Sequence, residues 1–191
     1  MKDEGGRVKI PTLVRRFRAD SRGFTLLELV VVVCIIAVLF TVALYKYLDL
    51  LVDVERGTME QNVGILRSAV ALQVAARVAR GEPERMLEMV DSNPMAYLSE
   101  VPFNYRGEFA GADPAQVEGG TWYFERDEQT LVYRVNNHRY FRTSLPGPPR
   151  ARFRIQPVHD EGRPVGLTLK SLEPYRWLKE PEGEGWFQRK D

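Results

Sequence analysis

Apolar positions along this chain fall into three regimes. Between Leu29 and Leu44 they are continuous, and the apolar character reaches back to Phe24 with Glu28 as its exception. From Met59 they recur at helical spacing, as Met59, Val63, Leu66, Val70, Val74 and Val78, with Arg67, Arg77 and Arg80 elsewhere on the surface. After Gly120 they alternate with polar residues over short runs, as half-buried strands do.

The first two regimes predict one spine helix from near Thr25 to Arg80, amphipathic in its second half and stopped by Gly81-Glu82-Pro83. Two helices broken near Gly57 are the alternative. Pro83 to Asp91 reads as a short helix ended by Ser92-Asn93-Pro94. The stretch holding Pro102, Gly107, Gly111, Pro114, Gly119 and Gly120 reads as loop. Thr121–Glu125 and Leu131–Val135 are β-rich runs joined through Asp127-Glu128-Gln129-Thr130, a predicted hairpin. Tyr140-Phe141 adds a short strand before Leu145-Pro146-Gly147-Pro148-Pro149 interrupts the sheet. Arg152–Gln156 and Val165–Lys170 alternate as strands, with a turn at Glu161-Gly162-Arg163-Pro164. Four or five antiparallel strands need one face covered, and the amphipathic half of the spine supplies the cover. The fold class is α+β.

Charge sharpens the reading of the first regime. Residues 1–23 carry Lys2, Arg7, Lys9, Arg15, Arg16, Arg18 and Arg22 against Asp3, Glu4 and Asp20. The whole chain is +1, so everything after the basic tail is net −3. A helix over Phe24–Tyr45 is roughly 33 Å long, enough for a bilayer core of about 30 Å. Basic residues before it, and Asp49, Asp53 and Glu55 after it, put the N-terminus in the cytoplasm by the positive-inside rule. The lone cysteine, Cys34, lies within the span and reads as a small apolar filler. An exported domain without a second cysteine must hold itself together by packing.

Three readings of this segment stand side by side. A cleaved secretory signal needs a small-residue cleavage site, for which Thr41-Val42-Ala43 is a marginal candidate. A plain signal anchor accounts for the length and charge bias. Neither explains Glu28, whose charge deep in a span costs on the order of 3 kcal/mol. The third reading cuts the chain between Gly23 and Phe24. The new ammonium on Phe24 then lies four residues from Glu28, on the same helix face, and neutralises it within one chain or between neighbours.

Gly23-Phe24-Thr25-Leu26-Leu27-Glu28, followed by an unbroken apolar helix, resembles the class III signal of type IV pilin-like proteins: pilins, minor pilins and the pseudopilins of type II secretion. The resemblance implies that prepilin peptidase cuts after Gly23 and methylates the amine of Phe24, and that Phe24 and Glu28 serve assembly. It also implies a helix-plus-sheet head. Many shaft-forming pilins carry a proline where this chain has Tyr45, so a minor or initiating subunit is the better resemblance.

The expected organisation is a leader over 1–23, a transmembrane and assembly half-helix over 24–50, an amphipathic half-helix over 51–82, a head over 83–179 and a flexible tail over 180–191. Trp186-Phe187 in that tail are candidates to dock onto the head. Expected partners are prepilin peptidase, other pilin-like subunits, an inner-membrane assembly platform and the membrane itself. The expected location is the inner membrane, single-pass, with the head periplasmic, followed by a filament or pseudopilus.

Catalytic chemistry is not legible. His138 and His159 are the only histidines, neither at metal-ligand spacing from a cysteine or from each other, and no phosphate-cradling loop or nucleophile elbow is present. No enzyme activity, cofactor or metal is expected. Asp160-Glu161 and the acidic tail read as solvated carboxylates rather than a calcium site. Arg150, Arg152 and Arg154 alternate along a strand, with Arg139 and Arg142 nearby. They read as a soluble sheet face rather than an anion patch, and nucleic acid is not an expected partner. Trp122, Tyr123 and Phe124 read as hairpin core. The rival function is a signal-anchored periplasmic binding domain that never polymerises.

Overall fold

A computed structural model describes residues 25–180 of the 191. The expected docking of Trp186-Phe187 therefore lies outside the described residues. The first element, α1, spans Leu26–Ala79 without interruption. Gly57 does not break it, and a Cβ at that position would meet nothing within 4 Å. The helix ends as its sequence dictates. Gly81 takes φ +76°, its N–H reaches the Val78 carbonyl at 3.0 Å, and Glu82 N–H reaches the Arg77 carbonyl at 3.0 Å. That pair of bonds is a Schellman closure, which satisfies two orphan carbonyls and leaves Pro83 to begin the next segment.

The chain divides into two compact units with the boundary after Leu44. The second unit contains a sheet. Its strands are β1 (Tyr105–Phe109), β2 (Thr121–Glu125), β3 (Thr130–Arg134), β5 (Arg150–Asp160) and β6 (Arg163–Ser171), in the order β1-β2-β3-β5-β6. A separate pair joins β4 (Phe141–Thr143) to β7 (Tyr175–Trp177), antiparallel. Pairing is antiparallel except between β1 and β2, which run parallel. The β2–β3 and β5–β6 hairpins fall where the alternation predicts them. Glu161 and Gly162 both adopt positive φ, as a two-residue type I′ connection requires.

Two expectations change. The stretch before Gly120 is not all loop: it holds β1, which the Pro/Gly punctuation conceals. Gly107 at φ +96° and a register shift between Tyr105 and Glu108 break the alternation that would betray it. The short helix expected after Pro83 is present over Pro83–Met89, as a 3-10 helix that stops two residues short of Asp91. A second 3-10 turn, Pro94–Tyr97, starts where a stop was expected, because the Asn93 side chain accepts the Met95 N–H at 3.0 Å.

Packing follows the helical stripe. Met59, Val63, Leu66 and Val70 are buried against Trp122, Phe124, Leu131, Tyr133, Phe153, Ile155 and Leu169 of the sheet. Val74 is partly buried, but Val78 is exposed. The buried stripe therefore fades after Val74, and the last turn of the helix lies beyond the core. Tyr123 and Val132, pointing away from α1, are buried as well, under the segment between β1 and β2. Phe109 meets Tyr123 edge-on there, with ring centroids 5.9 Å apart.

Two carboxylates organise the second unit's loops. Glu55 of α1 accepts from the Asn136 N–H at 2.7 Å, the Asn137 N–H at 2.8 Å, the Asn137 Nδ2 at 2.6 Å and the Tyr133 hydroxyl at 3.1 Å. Glu125 at the end of β2 accepts from Gly111 N–H at 2.9 Å and Ala112 N–H at 2.8 Å. Neither is legible from local pattern, since these partners lie far along the chain.

Candidate functional site

The residues singled out for assembly lie at the start of α1. Gly23 and Phe24 are outside the described residues; Thr25 and Glu28 are within them. Thr25 precedes the first helical residue, and its hydroxyl oxygen accepts the Glu28 N–H at 3.2 Å, while its carbonyl accepts the Leu29 N–H at 3.1 Å. Thr25 is therefore the N-cap and Glu28 the third helical residue, the spacing of a capping box of which the Thr25 half is formed. The signal is present in the spacing Thr25-Leu26-Leu27-Glu28, beneath the stronger membrane pattern, and sequence reasoning missed it. A carboxylate in the first turn also faces the positive end of the helix dipole. Glu28 thus has a local reason to sit there besides any intermolecular one.

Glu28 is exposed and makes no ion pair among the described residues. The side chains that follow are exposed too: Val30, Val33, Ile36, Leu39 and Phe40 are all at least 48% accessible. Thr41 is the polar exception, and its hydroxyl donates to the Ala37 carbonyl at 2.8 Å, so it adds no unsatisfied group to an apolar surface. Cys34 is a free, exposed thiol. By length and composition α1 can cross a membrane, and none of its most apolar stretch is buried within the chain. An all-round apolar helix with no protein cover requires lipid or other helices around it.

Residues 18–44 match the prokaryotic N-terminal methylation motif. The chain carries a class III signal. The motif is the one that type IV pilin-like proteins bear, and its match ends at Leu44, where the first compact unit also ends. No curated protein and no solved structure matches the chain. The methylation motif therefore speaks for the N-terminal segment, and the α+β layout comes from the structure itself.

The arginine row on β5 is occupied internally. Arg152 pairs with Glu173 and with Glu128, Arg154 donates to the Glu128 carbonyl, and Arg150 donates to the carbonyls of Pro146 and Pro148 at 2.9 and 3.1 Å. These side chains stitch loops onto the sheet, in line with the soluble-face reading. Trp122, Tyr123 and Phe124 are each buried. Among the described residues, no group of three or more His, Cys, Asp or Glu is placed to hold a metal.

Proposed function

We propose that this chain is a structural, peptidase-processed subunit of a type IV pilus-like filament or a type II secretion pseudopilus. Prepilin peptidase removes residues 1–23 by cutting after Gly23, and Phe24 becomes a methylated N-terminus. The helix over 24–50 anchors the subunit in the inner membrane with the head periplasmic, and later packs against the helices of other pilin-like subunits delivered by the assembly platform. The amphipathic stretch 51–82 carries the head over 83–179.

The observation that carries the reading is the placement of Glu28, an exposed carboxylate in the first turn of an apolar, uncovered helix within the methylation motif. The ammonium created at Phe24 neutralises that carboxylate and steers helices into register. The α-helical run through Tyr45, where shaft subunits often have proline, supports a minor or tip subunit.

Two measurements, one on the parent chain and one on a variant, test this. Intact mass of the membrane-extracted protein is expected to show a chain beginning at methylated Phe24; a chain beginning at Met1 or after Ala43 overturns the reading. Glu28→Leu is expected to insert normally and to lose crosslinking to other pilin-like subunits. Undiminished crosslinking means the carboxylate is not an assembly device.

A further inference from the structure

α1 leaves its charge-free run at Leu44 and meets charge at once. Lys46, Asp49, Asp53 and Arg56 follow at steps of three, four and three, which keeps them on one helix face. That face lines a cavity of about 530 Å³, within the range of small-molecule sites. Tyr140, Leu178 and Lys179 supply its other wall. The Tyr140 carbonyl accepts the Leu178 N–H at 2.8 Å, and the adjoining β4–β7 pair is packed through Phe141 on Trp177, ring centroids 5.0 Å apart.

The charges of this cavity have no internal partners. Lys46, Asp49, Asp53 and Lys179 make no hydrogen bond or ion pair among the described residues. Arg56 differs: its Nε donates to Glu60 at 3.0 Å, outside the lining, and its charge is balanced there. Two ammonium groups and two carboxylates remain. Asp49 and Asp53 stand four residues apart, where like charges repel. A simple anion is repelled by the aspartates and a simple cation by the lysines. A ligand that suits both carries a cation and an anion of its own.

Position along the helix says where such a ligand comes from. Counted from Phe24 at about 1.5 Å per residue, a bilayer core of about 30 Å ends near Ala43. A head-group layer of roughly 5–8 Å covers the residues that follow. Lys46 and Asp49 fall in that layer, with Asp53 one turn beyond. Tyr45 and Tyr47 are exposed on either side of Lys46, as interfacial aromatics are. The order of the charges fits as well. Moving away from the hydrocarbon, the cation Lys46 comes first and the aspartates follow. A phospholipid presents its complementary groups in the same order, phosphate next to the glycerol and ammonium outermost.

We propose that the cavity bounded by Lys46, Asp49, Asp53 and Lys179 binds the head group of a phospholipid with a primary ammonium, phosphoethanolamine in chemical class. Lys46, with Lys179, donates to the phosphate, and the lipid ammonium donates to Asp49 and Asp53. A choline head carries the same charges but has no N–H to donate, and a glycerol head has no cation, so both bind less well. The inference rests on the membrane-anchoring part of the reading above and adds the class of lipid that an anchored subunit holds.

The test uses the full-length chain, expressed with prepilin peptidase and extracted in detergent. It is mixed with equal amounts of phosphatidylethanolamine, phosphatidylcholine and phosphatidylglycerol, and native mass spectrometry reads the lipid retained on each chain. One phosphatidylethanolamine per chain is expected, retained roughly tenfold or more over either competitor. Asp49→Asn combined with Asp53→Asn is expected to bring phosphatidylethanolamine down to the phosphatidylcholine level, and Lys46→Gln to weaken both alike. All three side chains are exposed, so these changes leave the fold intact. Equal retention of the lipids, or preference for either competitor, overturns the proposal. So does a preference for phosphatidylethanolamine that survives both asparagines. Displacement of the lipid by an equal concentration of glycerophosphoethanolamine would make the ligand a soluble phosphate ester and overturn the lipid as its source. Recovery of the chain outside the membrane fraction reports failure of the anchoring reading, whereas an anchored chain without lipid preference reports failure of the site alone.

Discussion

The Glu55 carboxylate accepts the Tyr133 hydroxyl at 3.1 Å, joining α1 to β3 across 78 residues of chain. Three more donors from Asn136 and Asn137 converge on the same two oxygens. One side chain thereby fixes the helix, a central strand and the loop that leaves it.

Glu55→Ala is expected to destabilise the second unit by about 2 kcal/mol, because it strands backbone donors that were bonded to a charged acceptor. Urea titration of the full chain in detergent, followed by tryptophan fluorescence, measures the loss. Amide exchange at Asn136 and Asn137 should accelerate most. Exchange unchanged at those two amides would show that the loop is held by other contacts.

Alkaline pH is expected to weaken the fold through the same contact. Burial, then the charge and hydrogen bond of Glu55, raises the Tyr133 hydroxyl well above the ordinary tyrosine value. Tyr105, Tyr123 and Tyr175 are also raised, chiefly by burial. The folded state then keeps protons that the unfolded state releases, so stability is full below about pH 10 and falls as pH rises beyond it. Thermal melts from pH 8 to 11 should show this decline, and Tyr133→Phe should make it shallower. An equal slope in the variant would remove Tyr133 from the explanation.

Two glycines are expected to respond in opposite senses. A Cβ on Gly119 would stand 2.8 Å from the Asn136 Cα, so Gly119→Ala forces backbone apart and should cost about 1–3 kcal/mol. Gly57 sits inside α1 with open space around it, and Gly57→Ala should stabilise by up to about 1 kcal/mol. Paired melting curves decide both. Stabilisation by Gly119→Ala would mean that the contact with Asn136 relaxes without cost.

Glu125→Gln tests the second clamp. The charge-assisted bonds to Gly111 and Ala112 weaken, and limited proteolysis between Ala110 and Glu118 should speed up while the β2–β3 hairpin stays resistant. Cleavage at the parent rate would show that the segment is held by Phe109 and Tyr123 instead.

Periodic elements are readable in the sequence. The helix from Leu26 to Ala79, its stop at Gly81, and both antiparallel hairpins follow from apolar spacing and turn residues that act within a few positions. What escapes is non-local or too short. β7 has only three residues and gains its meaning from β4, more than thirty positions earlier. β1 is disguised by Gly107. The Glu28 motif is legible as a signal, yet its local capping by Thr25 is masked by the apolar run that surrounds it. The exposure of Ile65 and Leu72 has no sequence signature at all, since both look like core residues until the sheet is seen to pack elsewhere.

The sheet's two outer strands decide how crowding acts on this protein. At one end β6 carries Pro164, which has no N–H to offer, opposite His159 beside the irregularity between Val158 and His159. At the other, β1 is short and bent at Gly107. Strand pairing with a neighbour is blocked at the Pro164 end of β6 and gains little at β1. At high local density, copies that meet at β1 or at the Pro164 end of β6 touch through side chains, and contacts of that kind can be undone.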